Sequence, residues 1–242
     1  ASIEIPSHVT QICEGAFYGC KQLERVEFAS KSKLQTIGKE AFSHTKLASI
    51  EIPASVVELK DGWCFGTDKL YQVGVEAGNA VYASVDGKCI IGKSDNSKED
   101  YDILVFMTRD TIEATICGTI KIIGSYAFSY TKLASIEIPS HVTQICEGAF
   151  LFCEQLVQVE FASKSELQTI GKEAFSHTKL ASIEIPSHVT QICEGAFLFC
   201  EQLVQVEFAS KSELQTIGKE AFSHTKLASI EIPSHVTQIC EG

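Results

Sequence analysis

The chain has 242 residues, 45% of them hydrophobic and only five of them proline, so it can bury a substantial core and is no disordered tail. Twenty basic residues against 31 acidic ones leave a formal charge of −11, which disfavours nucleic acid and anionic membrane as partners and leaves basic proteins, cations and neutral surfaces. No run of about 18 apolar residues is present to insert directly in a bilayer, and the first residues do not resemble a signal peptide.

The opening words, A-S-I-E-I-P-S-H-V-T-Q-I-C-E-G-A-F, return at Ala134 to Phe150 and Ala181 to Phe197, and the last residues fall inside a further copy. A chain that starts and stops within a repeat reads as a fragment of a longer array. The period is 47 residues, as between Pro139, Pro186 and Pro233, and it splits into two similar halves of 22 and 25 residues. Ile12, Ile37, Leu59, Ile123, Ile145, Ile170, Ile192, Ile217 and Ile239 mark those halves in alternation. The one exception is Leu59 to Ile123, 64 residues where 25 are due, so about 39 are inserted.

A unit of about 23 residues with one short alternating apolar stretch cannot bury its own hydrophobic face and is stable only when stacked on copies of itself. The reading is therefore a solenoid. In each coil the L-x-x-[IV]-x-[IF] stretch, such as Leu180, Ile183 and Ile185, alternates as one short parallel strand, and Pro186 ends its pairing. The I-G-K-E-A-F stretch returns on the opposite side as a turn or short helix, with Ala174 and Phe175 feeding two internal ladders. In the coil starting at Leu59 these positions hold Trp63 and Cys64, a small-for-large and large-for-small exchange of the kind that a packed core tolerates.

The insertion spans residues 77–112. Within it Val81 to Val85 and Lys88 to Ile91 flank Asp86-Gly87, a strong hairpin signal, and Ile103 to Met107 predicts a third strand. Asp95, Glu99, Asp100 and Asp102 share one polar loop. Carboxylates at that density can hold calcium, but their order does not fit an EF-hand loop, and a solvated loop is the favoured reading.

The pattern I-x-x-x-A-F-x-x-C-x-x-L-x-x-V-x-F, carried by Ile192, Ala196, Phe197, Cys200, Leu203, Val206 and Phe208, resembles the BspA-like (Treponema pallidum type) leucine-rich repeats. The resemblance covers nearly the whole chain outside the insertion, and the core Y-x-S-x-D-G of Tyr82, Ser84, Asp86 and Gly87 is similar to hairpin islands of the same family. It implies an α/β-type, right-handed leucine-rich-repeat solenoid of about ten coils with one parallel sheet face, interrupted by the inserted hairpin. Residues 1–242 then form one domain, with 77–112 a decoration within it. It also implies surface proteins of mucosal bacteria and protists that adhere to host proteins or cells.

Among the ten cysteines, Cys20, Cys153 and Cys200 replace Thr45, Thr178 and Thr225 of the other half, while Cys13, Cys146 and Cys193 replace Gly38 and Gly171. Sites that alternate with Thr and Gly want a small side chain, which predicts buried free thiols, not bridges or zinc ligands. His44, His177 and His224 follow A-F-S, and His141, His188 and His235 follow the strand proline. Copies lie about 10 Å apart, two coils at a strand spacing near 4.8 Å, which is too far for shared metal ligation. They read as solvated turn residues.

The outward position at the centre of each regular strand is glutamate: Glu4, Glu27, Glu51, Glu137, Glu160, Glu184, Glu207 and Glu231, with Gly74 and Thr115 breaking the row at the inserted coil. Stacking predicts one column of carboxylates, either a device that keeps an open sheet soluble or an acidic recognition stripe. No motif of a hydrolase, a zinc protease or a phosphate-binding loop is present, and no catalytic residue, metal ligand or cofactor is assigned. The leading expectation is a non-enzymatic extracellular adhesion module whose partner is a protein or carbohydrate of a host surface or matrix. The alternative is a structural coat or spacer with no specific ligand.

Overall fold

The computed structural model describes residues 1–95 and 97–241. The chain divides into two compact units, Ala1–Asp110 and Thr111–Gly242. Each is a stack of β-solenoid coils, about ten turns in all, and no helix occurs among the described residues.

Each regular coil contributes two strands. The wide strand has four residues, such as Ser182–Ile185, with a burial pattern that alternates outward Ser182 and Glu184 with inward Ile183 and Ile185. Period-2 hydrophobicity dictates this orientation, because a one-residue slip would expose both isoleucines. The second strand is only two residues long, such as Gln191–Ile192, and forms a narrow parallel ladder with its neighbours Thr169–Ile170 and Thr216–Ile217. The one sheet face expected from the repeat is thus accompanied by a second, narrow ladder.

The return stretch is made of stacked turns. Ala174 and Ser176 donate their amides back to the Gly171 and Glu173 carbonyls, three residues earlier, while Glu173, Phe175 and His177 donate to Glu194, Ala196 and Leu198 of the next coil. Glu173 and His177 take left-handed φ values of 52° and 57°. Alternate amides therefore face the neighbouring coil, and an α-helix, whose amides all point along its own axis, cannot form there.

The A-F residues make the core. In the C-terminal unit Phe128, Phe150, Phe175, Phe197 and Phe222 stack with centroids 4.9 to 5.4 Å apart and near-parallel planes. Ala127, Ala149, Ala174 and Ala196 are fully buried beside them. In the N-terminal unit Phe17 stacks on Phe42 at 5.3 Å, and Trp63 and Cys64, both buried, continue the two ladders with their sizes exchanged.

Residues 77–110 of the insertion belong to the N-terminal unit. Tyr82–Val85 and Cys89–Gly92 pair antiparallel around Asp86 and Gly87, both at positive φ, as a two-residue turn with primed geometry requires. Ile103–Met107 pairs antiparallel with Cys89–Gly92 through a bulge between Leu104 and Phe106. The predicted hairpin is thus a three-stranded meander.

Candidate binding face

All eight glutamates of the predicted row are exposed. Parallel register sets Glu4 beside Glu27 in the N-terminal unit, and Glu137 beside Glu160 and Glu184 beside Glu207 in the C-terminal unit. Glu51 aligns with Gly74 and lies over it, since a Cβ at Gly74 would stand 3.4 Å from the Glu51 Cγ. Glu231 is in residues 229–232, which form no strand.

Two features depart from a uniform column. The first is that the V-E-F strands carry a donor two residues upstream on the same face. Arg25 Nε stands 2.9 Å from Glu27, Gln158 donates to Glu160 at 2.6 Å, and Gln205 donates to Glu207 at 2.7 Å. The I-E-I strands have Ser2, Ser49, Ser135 and Ser182 at that place, and serine is too short to reach across. Carboxylates with a neighbouring donor therefore alternate with carboxylates without one.

The second feature is that the wide sheet opens at every second step. Gln158–Phe161 pairs over all four residues with Ser135–Ile138, but it shares no sheet with Ser182–Ile185. In the N-terminal unit Arg25–Phe28 meets Ser49–Ile52 through one pair, Arg25 with Ser49. The loop after each V-E-F strand explains this. Ten positions separate Glu160 from Ile170, against eight from Glu137 to Ile145, and the longer loop turns at Lys164 with φ 60°.

Each opening is a groove with two carboxylates in its lining. Glu160 and Glu184 share one of about 480 Å³, with Lys164 at its rim. Glu207 and Glu231 share one of about 720 Å³, with Lys211 at its rim. In the N-terminal unit Glu27 and Glu51 share one of about 310 Å³, which Glu76 also lines. Grooves of this size take a side chain or a sugar ring, and their charge favours a cation. In the C-terminal unit, Val157 and Val204, each at least half exposed, immediately precede the V-E-F strands and add apolar surface beside the carboxylates.

Sequence reasoning missed a second ladder, on the outside of the turns. Tyr130, Phe152, His177, Phe199 and His224 stack in that order with centroids 4.3 to 5.0 Å apart. All five residues have left-handed φ. His177 and His224, read from the sequence as solvated turn residues, are therefore rungs of a ring stack, with phenylalanine across both faces of His177. The signal was present in the alignment of the halves, because A-F-S-H-T and A-F-L-F-C put His and Phe at one position. The stacking covers the ring faces, so interior rungs present only edges to a ligand.

The cysteines are thiols and form no disulfide. Cys64, Cys153 and Cys200 are buried, whereas Cys13, Cys20 and Cys117 are exposed, which corrects the expectation that the thiols as a class lie inside. Cys153 and Cys200 alternate with threonine in a column under the rings, where Cys200 donates to the Phe175 carbonyl at 3.1 Å and lies 3.2 Å from the Thr178 hydroxyl. Burial pushes the Cys200 thiol up to about 11 and the Cys64 thiol up to about 12. In the insertion loop the Asp102 carboxylate is occupied by the Ser94 amide, the Ser94 hydroxyl and the Lys98 ammonium. Among the described residues no cluster of His, Cys, Asp or Glu has the arrangement of a metal site.

The chain is similar over 98% of its length to a leucine-rich cell surface protein of Faecalibacterium prausnitzii, at 28% identity and a TM-score of 0.80. It superposes over the same share on the pneumococcal vaccine antigen PcpA, at 23% identity and a TM-score of 0.77, and on a leucine-rich repeat protein of Eubacterium ventriosum, at 23% and 0.70. The last two likenesses concern the fold. The chain spans 59% of the first of these proteins and 62% of the second. Among curated proteins none matches it. The model of the BspA-type leucine-rich repeat region matches six copies over residues 1–81 and 121–242. The chain belongs to the BspA-type leucine-rich repeat family.

Proposed function

We propose that the chain is a non-enzymatic extracellular binding module that presents the acidic sheet face of each unit to a cationic patch on a protein of a host surface or matrix. The observation that carries this reading is the recurrence of one groove three times, each with two exposed carboxylates from successive coils. A solubility device needs charge on the face but not this repeated concavity. A repeated groove lets weak ion pairs act together, because each contact after the first is intramolecular. The surface setting rests on the family and on the similarity to the leucine-rich cell surface protein of Faecalibacterium prausnitzii.

The test is a binding series of the whole chain against purified mucosal, matrix and glycan ligands at low and physiological salt, repeated with Glu160→Gln, Glu184→Gln and Glu207→Gln combined. A ligand whose affinity falls with salt, and falls about tenfold or more in the triple variant, supports the reading. Binding that ignores both salt and the substitutions overturns the acidic face. Absence of any ligand, together with end-to-end assembly in light scattering, turns the reading to a coat or spacer.

A further inference from the structure

The two grooves of the C-terminal unit are one site written twice. Glu160, Lys164 and Glu184 line the first, and Glu207, Lys211 and Glu231, each 47 residues later, line the second. Forty-seven residues make two coils, so at a strand spacing near 4.8 Å the second groove lies about 10 Å further along the stack. A ligand that enters one groove and runs along the stack meets the same chemistry again at that distance.

The walls of each groove suit one long cationic side chain. No ladder crosses the first groove, since Gln158–Phe161 and Ser182–Ile185 share no sheet, and residues 229–232 beside the second form no strand. The facing edges therefore keep backbone acceptors in addition to the two carboxylates. Phe161 and Pro186 line the first groove, as Phe208 and Pro233 line the second, and give apolar wall for a methylene stem whose charged head meets the glutamates. Lys164 and Lys211 add a donor at each rim, which asks the ligand for an acceptor next to its cation.

The pitch selects among peptide conformations. An extended strand brings side chains to the same side every second residue, at roughly 6.8 Å and then 13.6 Å, and misses it. A polyproline II helix has three residues per turn and rises about 3.1 Å per residue, so every third side chain returns to the same side about 9.3 Å on. An α-helix does so at every seventh residue, about 10.5 Å on. The rim lysines decide between these two. Polyproline II backbone makes no internal hydrogen bonds and offers its carbonyls to Lys164 and Lys211, whereas helix carbonyls are already bonded. Val157 and Val204, at least half exposed and also 47 residues apart, add apolar surface beside the grooves on which prolines can pack.

We infer that the two grooves form a ruler for a polyproline II segment of the partner protein, with lysine or arginine at every third position and one cation in each groove. The ruler rests on the acidic-face reading and adds a spacing to it.

Fluorescence anisotropy of the whole chain with labelled peptides at low salt tests the spacing. Four consecutive Pro-Pro-Lys triplets should bind about tenfold or more tighter than a peptide of the same composition whose lysines stand alternately two and four positions apart, because the second contact is intramolecular only where the spacing fits. Glu160→Gln combined with Glu184→Gln removes the charge of one groove and should bring the two peptides to equal affinity. Equal and salt-sensitive binding of both peptides to the parent overturns the ruler and leaves the acidic face standing, as does a preference that survives the double substitution. Tighter binding of an alanine-based helical peptide of the same charge, with lysine at every seventh position, overturns the polyproline II partner. Binding of none of the three peptides overturns the ruler and the acidic face together.

Discussion

Glu184 and Glu207 are register partners in adjacent parallel strands, side by side on one exposed face, and only Glu207 has a same-strand donor, Gln205 at 2.7 Å. Like charges directly opposite one another destabilise a sheet, by roughly 0.2–1 kcal/mol per pair. Glu160→Gln, Glu184→Gln and Glu207→Gln together should therefore stabilise the protein at pH 7 in low salt by about 1 kcal/mol, read as a raised urea midpoint, and by less in high salt. A lowered midpoint in low salt would show that the carboxylates are held by cations.

Phe175 is fully buried between Phe150 at 5.0 Å and Phe197 at 5.4 Å. Phe175→Ala should cost about 3–5 kcal/mol, since the rigid coils above and below cannot collapse into the space. Calorimetry of the whole chain reads the loss. A thermal midpoint equal to the parent's would remove the ring from the core.

Gly171 has no room for a side chain. A Cβ there would stand 2.6 Å from the Cys146 carbonyl carbon and 2.7 Å from the Ile145 oxygen, both of them backbone, so the coils would have to separate. Gly171→Ala should cost about 1–3 kcal/mol, whereas Gly118→Ala, with nothing within 4 Å of the added carbon, should be within about 0.5 kcal/mol of the parent. Chemical denaturation of the two variants checks the contrast.

The buried thiols make the protein sensitive to alkali. Cys200 titrates at about 11 and Cys64 at about 12 when folded, against 9.0 when unfolded, because burial disfavours the thiolate. Their contribution to stability is complete below pH 9 and is lost as the pH climbs toward the folded values, at about 1.4 kcal/mol per pH unit for each thiol. Cys64→Ala combined with Cys200→Ala should flatten the fall in stability between pH 9 and 11. In the native protein a thiol reagent at neutral pH should modify exposed Cys117, whose thiol the Thr119 amide lowers, and should spare Cys64 and Cys200 until unfolding.

The sequence by itself determined the repeat, the strand orientation, the A-F core and the Asp86-Gly87 turn. Each follows from local chemistry that recurs at a fixed period: alternation selects which side chains go inward, and a 23-residue unit has no core without its neighbours. It also placed the glutamates on the outer face. Only the tertiary structure decided what lies between them, since the gap before Ser182 depends on how a loop with two more residues sits over the next coil. The same holds for the outer ring ladder, where a histidine becomes a stacked ring because the coil rise matches aromatic stacking distance. The insertion meets the preceding coil through Leu59 with Tyr82 and Leu70 with Arg109, pairs 23 and 39 positions apart. The second separation lies outside the repeat spacings of 22 and 25, so only packing brings the Arg109 amide to the Leu70 carbonyl.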